Sequence, residues 1–311
     1  VPPEYRGGWD DFWVASDVLE HTSHSYDGHM FDGDGNRVAF PPGRYRADCL
    51  TDHAVEFLRT RSGDKPWFLF ISYIEPHHQN DHGRYEGPAG SRERWAEFVP
   101  PGDLAEATGD WREQYPDYLG CCGALDACLG RLRAELEALG QAEDTLMLYT
   151  SDHGSHFRTR NGEYKRSCHE ASIRVPLVAH GPGFLGGRVV EELVSLIDLP
   201  PTFLTAAGAP VPARMRGRPL QALAAGQAQD WPDDVFVQIS ESWIGRAVRT
   251  DRWKYAVWVP TEGEFASGRE RPGSDTYVEH FLYGLDADPY ERTNLVAEPA
   301  YAAWTATPVH H

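Results

Sequence analysis

An open α/β fold, with a mixed, mostly parallel sheet flanked by helices and a small antiparallel sheet at the C-terminal end, is what three features of this sequence predict. Two apolar runs, Leu146-Met147-Leu148-Tyr149 and Val175-Pro176-Leu177-Val178-Ala179, have the length of buried strands and bracket a polar loop. A long amphipathic helical pattern precedes them. Several short strand-like runs follow Val235. The expected boundaries are an α/β domain over residues 1–209 and a linker with a small C-terminal α+β subdomain over 210–311.

Residues 1–47 are rich in Gly, Asp, Tyr, His and Pro and show no periodicity, so they read as irregular surface structure. Asp32-Gly33-Asp34-Gly35-Asn36 imitates the start of a calcium loop, but its twelfth position is Gly43 rather than Glu, and a turn is expected. Asp10-Asp11 follows no apolar run and is not read as a metal-binding pair. His21, His24 and His29 read as loop histidines rather than ligands.

Leu50, Ala54, Phe57 and Leu58 share one helical face between Cys49 and Arg61. Lys65-Pro66 breaks the chain, and Trp67 to Ile74 reads as a buried strand ending in a polar run, Glu75-Pro76-His77-His78. Residues 83–114 are charged and rich in Gly and Pro, and are expected to line a substrate cleft. From Tyr115 to Leu139 the apolar positions Tyr118, Cys122, Leu125, Leu129, Leu132, Leu136 and Leu139 step by four and three, which is a helix. Gly140 suits its C-terminal cap.

The strand at Leu146 stops at Ser151-Asp152-His153-Gly154, and the next stops at Gly181-Pro182-Gly183. Open α/β sheets bind ligands beyond the carboxyl ends of their strands. An Asp and a His adjacent at such an end suit a metal ion; a Lys and a His on the following loop suit an anion. Glu170 and Arg174, four apart, are expected to pair and brace that loop. Leu193–Leu196 reads as a short strand, Asp198 as the cap of a helix through Phe203 and Leu204, and 210–232 as a linker. The runs Val235–Ile239, Arg246–Arg249, Trp253–Val259 and Phe281–Leu285 form the antiparallel sheet.

This arrangement resembles the sulfatase family of the alkaline-phosphatase superfamily. Sulfatases typically place a Lys five residues before a Glu, and Arg-Val-Pro four residues after it. Lys165, Glu170, Arg174, Val175 and Pro176 keep that spacing. Asp152-His153-Gly154 resembles the family's metal-binding turn, Pro76-His77 its histidine after an earlier strand, Asp198-Leu199-Pro200-Pro201-Thr202 a later run, and Tyr283 to Leu295 its C-terminal signature, here read as turn and capping chemistry. The likeness covers roughly residues 65–297 and implies an alkaline-phosphatase-like fold and hydrolysis of sulfate esters.

A sulfate ester resists attack because its oxygens carry negative charge. The resemblance implies one divalent metal ion held in part by Asp152 and His153, with calcium the first choice and manganese and zinc the alternatives, since His in place of Asn departs from an all-oxygen set. It implies Lys165 as a fixed positive charge on the sulfate. His77 and His169 are the candidates for giving a proton to the leaving alcohol. His156 and Arg158 are further possible contacts, and Asp126 on the long helix is read as structural.

The family's nucleophile is the first residue of a Cys- or Ser-x-Pro-Ser-Arg motif, converted to formylglycine. No such motif occurs in these 311 residues, and the paired aspartates of the family's first strand are missing too. The chain therefore reads as the C-terminal part of a longer enzyme, favoured by the absence of an initiator Met, or as a shortened relative without catalysis. By itself it is expected to be poorly stable and inactive on sulfate esters. Two rivals stay open: a phosphodiesterase, phosphonate monoester hydrolase or phosphoethanolamine transferase of the same superfamily, and a non-catalytic anion-binding remnant.

A formal net charge of −18 argues against non-specific binding to nucleic acid or anionic membrane, and no apolar run is long enough to span a bilayer. The expected partner is a small-molecule or carbohydrate sulfate ester. The five cysteines have no zinc-knuckle spacing and read as reduced, which leans toward the cytoplasm.

Overall fold

The computed structural model describes residues 1–9, 11–61, 65–227, 229–241, 243–260 and 273–301; Asp10 and the terminal His310-His311 lie outside the described residues. Two compact units divide the chain. The first comprises residues 1–99 and 110–145, the second residues 100–109 and 146–311. The expected 210–311 subdomain therefore shares its unit with both apolar runs and the polar loop between them.

The first unit contains α1 (Leu19–Thr22), β1 (His29–Phe31), β2 (Arg37–Ala39), α2 (Arg46–Thr60), α3 (Ser91–Arg94) and α4 (Trp111–Ala138). Strands β1 and β2 pair antiparallel, His29 opposite Ala39. The turn between them is built by Asp32, whose Oδ1 accepts the Asp34 and Asn36 amides at 3.0 and 2.8 Å. This is the turn expected there. Helix α4 starts four residues before the pattern at Tyr115 and ends where Gly140, at φ +67°, takes a left-handed conformation. Its core face carries Cys121, Leu125, Cys128, Leu132 and Leu136, all buried. Leu125 and Cys128 pack with Tyr45 and Ala47 at the start of α2. Arg131 ties the helices by donating to Asp48 at 3.0 Å. All five cysteines are unbridged, as expected.

The segment Trp67–Ile74 corrects the expectation of a buried strand. It belongs to no strand among the described residues. Its alternate side chains face outward, with Phe68 53% and Phe70 65% exposed. An apolar run marks a segment that suits burial on both faces; it does not supply the neighbour that covers the second face.

The second unit contains β3 (Met147–Thr150), α5 (Glu170–Ile173), β4 (Leu177–His180), α6 (Leu199–Ala206), α7 (Gln221–Ala224) and the strands β5 (Asp234–Ile239), β6 (Gly245–Thr250), β7 (Trp253–Trp258) and β8 (Val278–Gly284). The last four form one sheet in the order β5-β6-β7-β8, antiparallel throughout, as the C-terminal runs predicted. Strands β3 and β4 pair antiparallel, Met147 opposite His180 and Thr150 opposite Leu177. A mostly parallel sheet was expected; among the described residues every strand pairing is antiparallel. Parallel neighbours need a crossover long enough to return the chain to the starting edge, usually a helix. The connection here holds only the one-turn α5, so the chain doubles back.

Two smaller expectations change. Residues 193–195 form no strand, and the chain enters α6 through a 3₁₀ turn, Leu196–Asp198. Asp198 accepts the Ser195 amide with Oδ2 and the Arg218 amide with Oδ1, both at 2.8 Å. Nor is 210–232 a bare linker: Leu220 and Leu223 are buried, and the Leu220 amide donates to Thr202 Oγ1 at 2.9 Å.

Candidate functional site

The turn after β3 places Asp152 and His153 together. Asp152 Oδ1 accepts the His153 amide at 2.8 Å, and its Oδ2 lies 3.3 Å from His153 Nε2. The other ring nitrogen, Nδ1, donates to the Gly154 carbonyl at 3.0 Å, so Nε2 is the nitrogen turned to the carboxylate. The Asp152 side chain is 80% exposed. Gly154 is required by close approach: a Cβ there would lie 2.1 Å from the Ala171 carbonyl oxygen. Its amide donates to the Ser172 carbonyl at 2.8 Å, which pins the turn to α5.

The loop that follows is anchored at its far end and polar in its middle. Cys168 is buried against Ile239, Ala247 and Ala256 of the C-terminal sheet. Lys165 lies three residues earlier and half-buried, its Nζ 5.5 Å from the centre of the Tyr164 ring. Arg166 is bound by Glu163 at 3.0 Å and by Glu241. His156 is fully buried, and neither ring nitrogen has a hydrogen-bond partner among the described residues. Burial pushes its pKa down to about 4.

His169 does not face outward. It is 3% exposed, meets Phe281 edge-on and Tyr283 at a tilt, and bonds Tyr283 Oη through Nε2 at 3.1 Å. Burial, aided by the charges of Arg160 and Lys254, pushes its pKa down to about 2, so the ring is neutral near pH 7. A neutral, enclosed imidazole is poorly suited to donate a proton to a leaving group.

Beside it lies a charge cluster that sequence spacing did not reveal. The Lys254 ammonium, 0% exposed, sits between Glu170 at 2.6 Å and Glu291 at 2.5 Å. Arg249 reaches Glu170 as well, at 3.4 Å, and Glu291 accepts the Glu170 amide at 2.7 Å. The expected brace between Glu170 and Arg174 is thus replaced: the Glu170 carboxylate turns inward to Lys254, and Arg174 is exposed. Burial opposes charge on Glu170, but Lys254 and Arg249 outweigh it and hold its pKa below the usual range. Glu291 is more deeply buried, and burial holds its pKa above that range. No local pattern links positions 84 residues apart; the only sequence signal was that Lys254 interrupts an otherwise apolar strand.

His77 belongs to the first unit. Its Nδ1 donates to the His78 carbonyl at 2.6 Å. The turn that carries it is held from below by Arg46, buried, which donates to Glu75 at 2.9 Å and to Gln79 at 3.2 Å. The helix residue Asp126 is exposed.

Asp152 and His153 fit one flank of a divalent-ion site, because one oxygen and one nitrogen face the same point. They do not make a calcium cage, which takes six to eight oxygens. Among the described residues no third His, Cys, Asp or Glu completes a cluster with them.

The sequence model of the sulfatase family matches residues 4–209, and that of the C-terminal region of N-sulphoglucosamine sulphohydrolase matches residues 162–267. Arylsulfatase K of Rattus norvegicus is 32% identical over 290 residues, which are 80% of this chain and 49% of that protein. A multifunctional alkaline phosphatase superfamily protein, PehA of Trinickia caryophylli, is 30% identical, over 94% of this chain and 64% of its own length. Among solved structures, a protein in complex with its substrate D-glucosamine-2-N,6-O-disulfate superposes with a TM-score of 0.68 at 21% identity, over 94% of this chain and 73% of that one. The chain spans about half the length of the arylsulfatase and just under two thirds of PehA. The matched family model takes in the turn at Asp152, the loop at Lys165 and the Pro76-His77 turn, and the fold is that of alkaline-phosphatase-like enzymes. This chain belongs to the sulfatase family.

Proposed function

We propose that the protein containing this chain is a metal-dependent hydrolase of sulfate esters, carbohydrate sulfates foremost, and that this chain carries part of its active site. The observation that carries the reading is the Asp152–His153 pair on a turn pinned to α5, with Asp152 thirteen residues ahead of Lys165, where the Lys165–Pro176 pattern begins. The carbohydrate preference draws support from the sulphoglucosamine sulphohydrolase match and from the glucosamine disulfate bound by the structural relative.

Asp152 and His153 would hold one flank of a divalent ion, which when bound neutralises charge on the sulfate. Attack on sulfur falls to a nucleophile outside these 311 residues, and this chain's own side chains bind and orient the ester. Lys165 contributes a fixed ammonium that draws the sulfate oxygens and opposes the charge growing on them as the S–O bond breaks. Family resemblance alone gives His77 the role of passing a proton to the departing alkoxide, which it would fill as the imidazolium. His169 serves as a packing residue that sets the end of the loop. The donor shortfall at Asp152 supports the view that further ligands and the nucleophile come from elsewhere in the protein.

The test is turnover of a glucosamine sulfate and of an aryl sulfate by the gene product that contains this chain, beside its Lys165→Ala variant. Hydrolysis of both, falling about 100–1,000-fold in the variant with the fold intact, is expected. A second reading rests on the likeness to PehA: hydrolysis of phosphonate or phosphodiester substrates with no release of sulfate would replace the first. The 311-residue chain alone is expected to release sulfate at no enzymatic rate.

A further inference from the structure

We propose that His24, Asp81 and His82 form a second metal site, in the first unit, whose donors suit zinc or a neighbouring transition-metal ion. His24 Nε2 lies 2.8 Å from Asp81 Oδ2, and His82 Nε2 lies 3.9 Å from the same oxygen. The three donor atoms fall within 4.8 Å of one another. A tetrahedral zinc ion with ligands at about 2.0–2.2 Å separates its donors by roughly 3.3 Å, so shifts of about an ångström close the set. Two imidazole nitrogens and one carboxylate oxygen, with a fourth position left for water, are a common zinc complement and a poor one for calcium.

The surroundings are built as an outer shell. Metal-bound histidines commonly donate their second ring nitrogen to a carboxylate or carbonyl, which fixes the tautomer and raises basicity. His82 Nδ1 donates to Glu86 Oε1 at 2.5 Å, so Nε2 carries the lone pair toward Asp81. Glu86 is itself held by Ser25, which donates from Oγ to Oε2 at 3.0 Å. The Asp81 oxygen that does not face the histidines accepts from Gln79 Nε2 at 2.8 Å, and Gln79 is buried. The backbone is constrained as well. Gln79 and Arg84 bond each other across a turn, and the Asn80 amide donates to Glu20 of α1, which ends two residues before His24. The His24 and His82 rings stack at 4.0 Å and 14° with their nitrogens beside one carboxylate. Here the reading of His24 as a loop histidine gives way, for Asp81 and His82 lie 57 and 58 residues further along.

None of its donors is Asp152 or His153, so its test removes those two residues. The metal-stripped 311-residue chain carrying Asp152→Ala and His153→Ala is titrated with Zn²⁺ against a chromophoric chelator. One equivalent bound with a Kd at or below about 1 μM is expected, weakened at least 100-fold by His24→Ala or His82→Ala and about 10–100-fold by Glu86→Gln. Zinc-edge X-ray absorption on the same chain, with no further substitution, is expected to show two imidazoles in the first shell. Binding no tighter than about 0.1 mM, equal affinity in the His82→Ala variant, or a shell without histidine each overturns the proposal. Should a histidine variant lose its far-ultraviolet circular dichroism, the absorption spectrum of the parent decides alone.

Discussion

The two carboxylate-bearing ends of one loop in the second unit are organised in opposite ways. At the turn after β3, Asp152 is exposed and meets only His153 among the described ion pairs. At α5, Glu170 turns inward, where it and Glu291 flank the buried ammonium of Lys254 and Arg249 pairs with Glu170 as well. Water solvates the first carboxylate, so its charge costs little and stays available to a ligand. Burial would make the second pair of carboxylates costly, so each is matched to a cation and neither has capacity left for chemistry. The charges around Lys254 are enclosed and paired, whereas the Asp152 carboxylate stands open on a turn that the Gly154 amide pins to α5.

Removing the enclosed cation should give the largest stability effect. Lys254→Met leaves Glu170 and Glu291 facing each other without it, and is expected to cost about 3–5 kcal/mol in urea denaturation. Adding Glu291→Gln should recover part of that loss. A cost below about 1 kcal/mol for Lys254→Met would erase the contrast between the two ends of the loop.

An intermediate effect is expected from acid. His156 is buried neutral with its pKa near 4, below the ordinary value of about 6.5. The unfolded chain therefore binds the proton first. Its contribution is fully present above about pH 6.5 and is lost as pH falls toward 4, by on the order of 3 kcal/mol. His156→Leu should leave stability at pH 7 unchanged or raised, since two unpartnered nitrogens leave the interior, and should flatten the loss between pH 6.5 and 4. Identical acid profiles for chain and variant would count against burial as the cause.

The smallest effect belongs to the open end. Asp152→Asn is expected to change unfolding free energy by no more than about 0.5 kcal/mol, while weakening divalent-ion binding at that turn. A stability loss above about 1 kcal/mol would show the exposed carboxylate to be structural after all.

Local pattern carried a good deal of this protein. Four short strand-like runs after Val235 foretold the antiparallel sheet, because runs of that length in succession pair with their neighbours along the chain. The three- and four-residue steps of α4 foretold a helix ending at Gly140. Asp152-His153-Gly154 and the spacing from Lys165 to Pro176 were legible for a similar reason: a turn and its adjoining loop present their side chains within a few residues of one another, so order along the chain stands for proximity.

Where proximity comes from distant segments, the chain order was silent or misleading. The run Trp67–Ile74 was apolar enough for an interior strand, yet Phe68 and Phe70 face outward, because burial needs a partner that the run does not contain. Glu170 and Arg174 have helical spacing for an ion pair, but a carboxylate drawn under the sheet finds Lys254 instead, and the interior ion pair excludes the surface one. His169 sat at a motif position and became an enclosed ring against Tyr283.

Sequence alone thus foretold the family, the helices α2, α4 and α6, and the C-terminal strands. Tertiary structure decided which charges are enclosed and which stay open, and it drew His24 to Asp81 and His82. The reason is physical: periodicity and motif spacing report a residue's neighbours along the chain, whereas desolvation and charge pairing depend on neighbours in space.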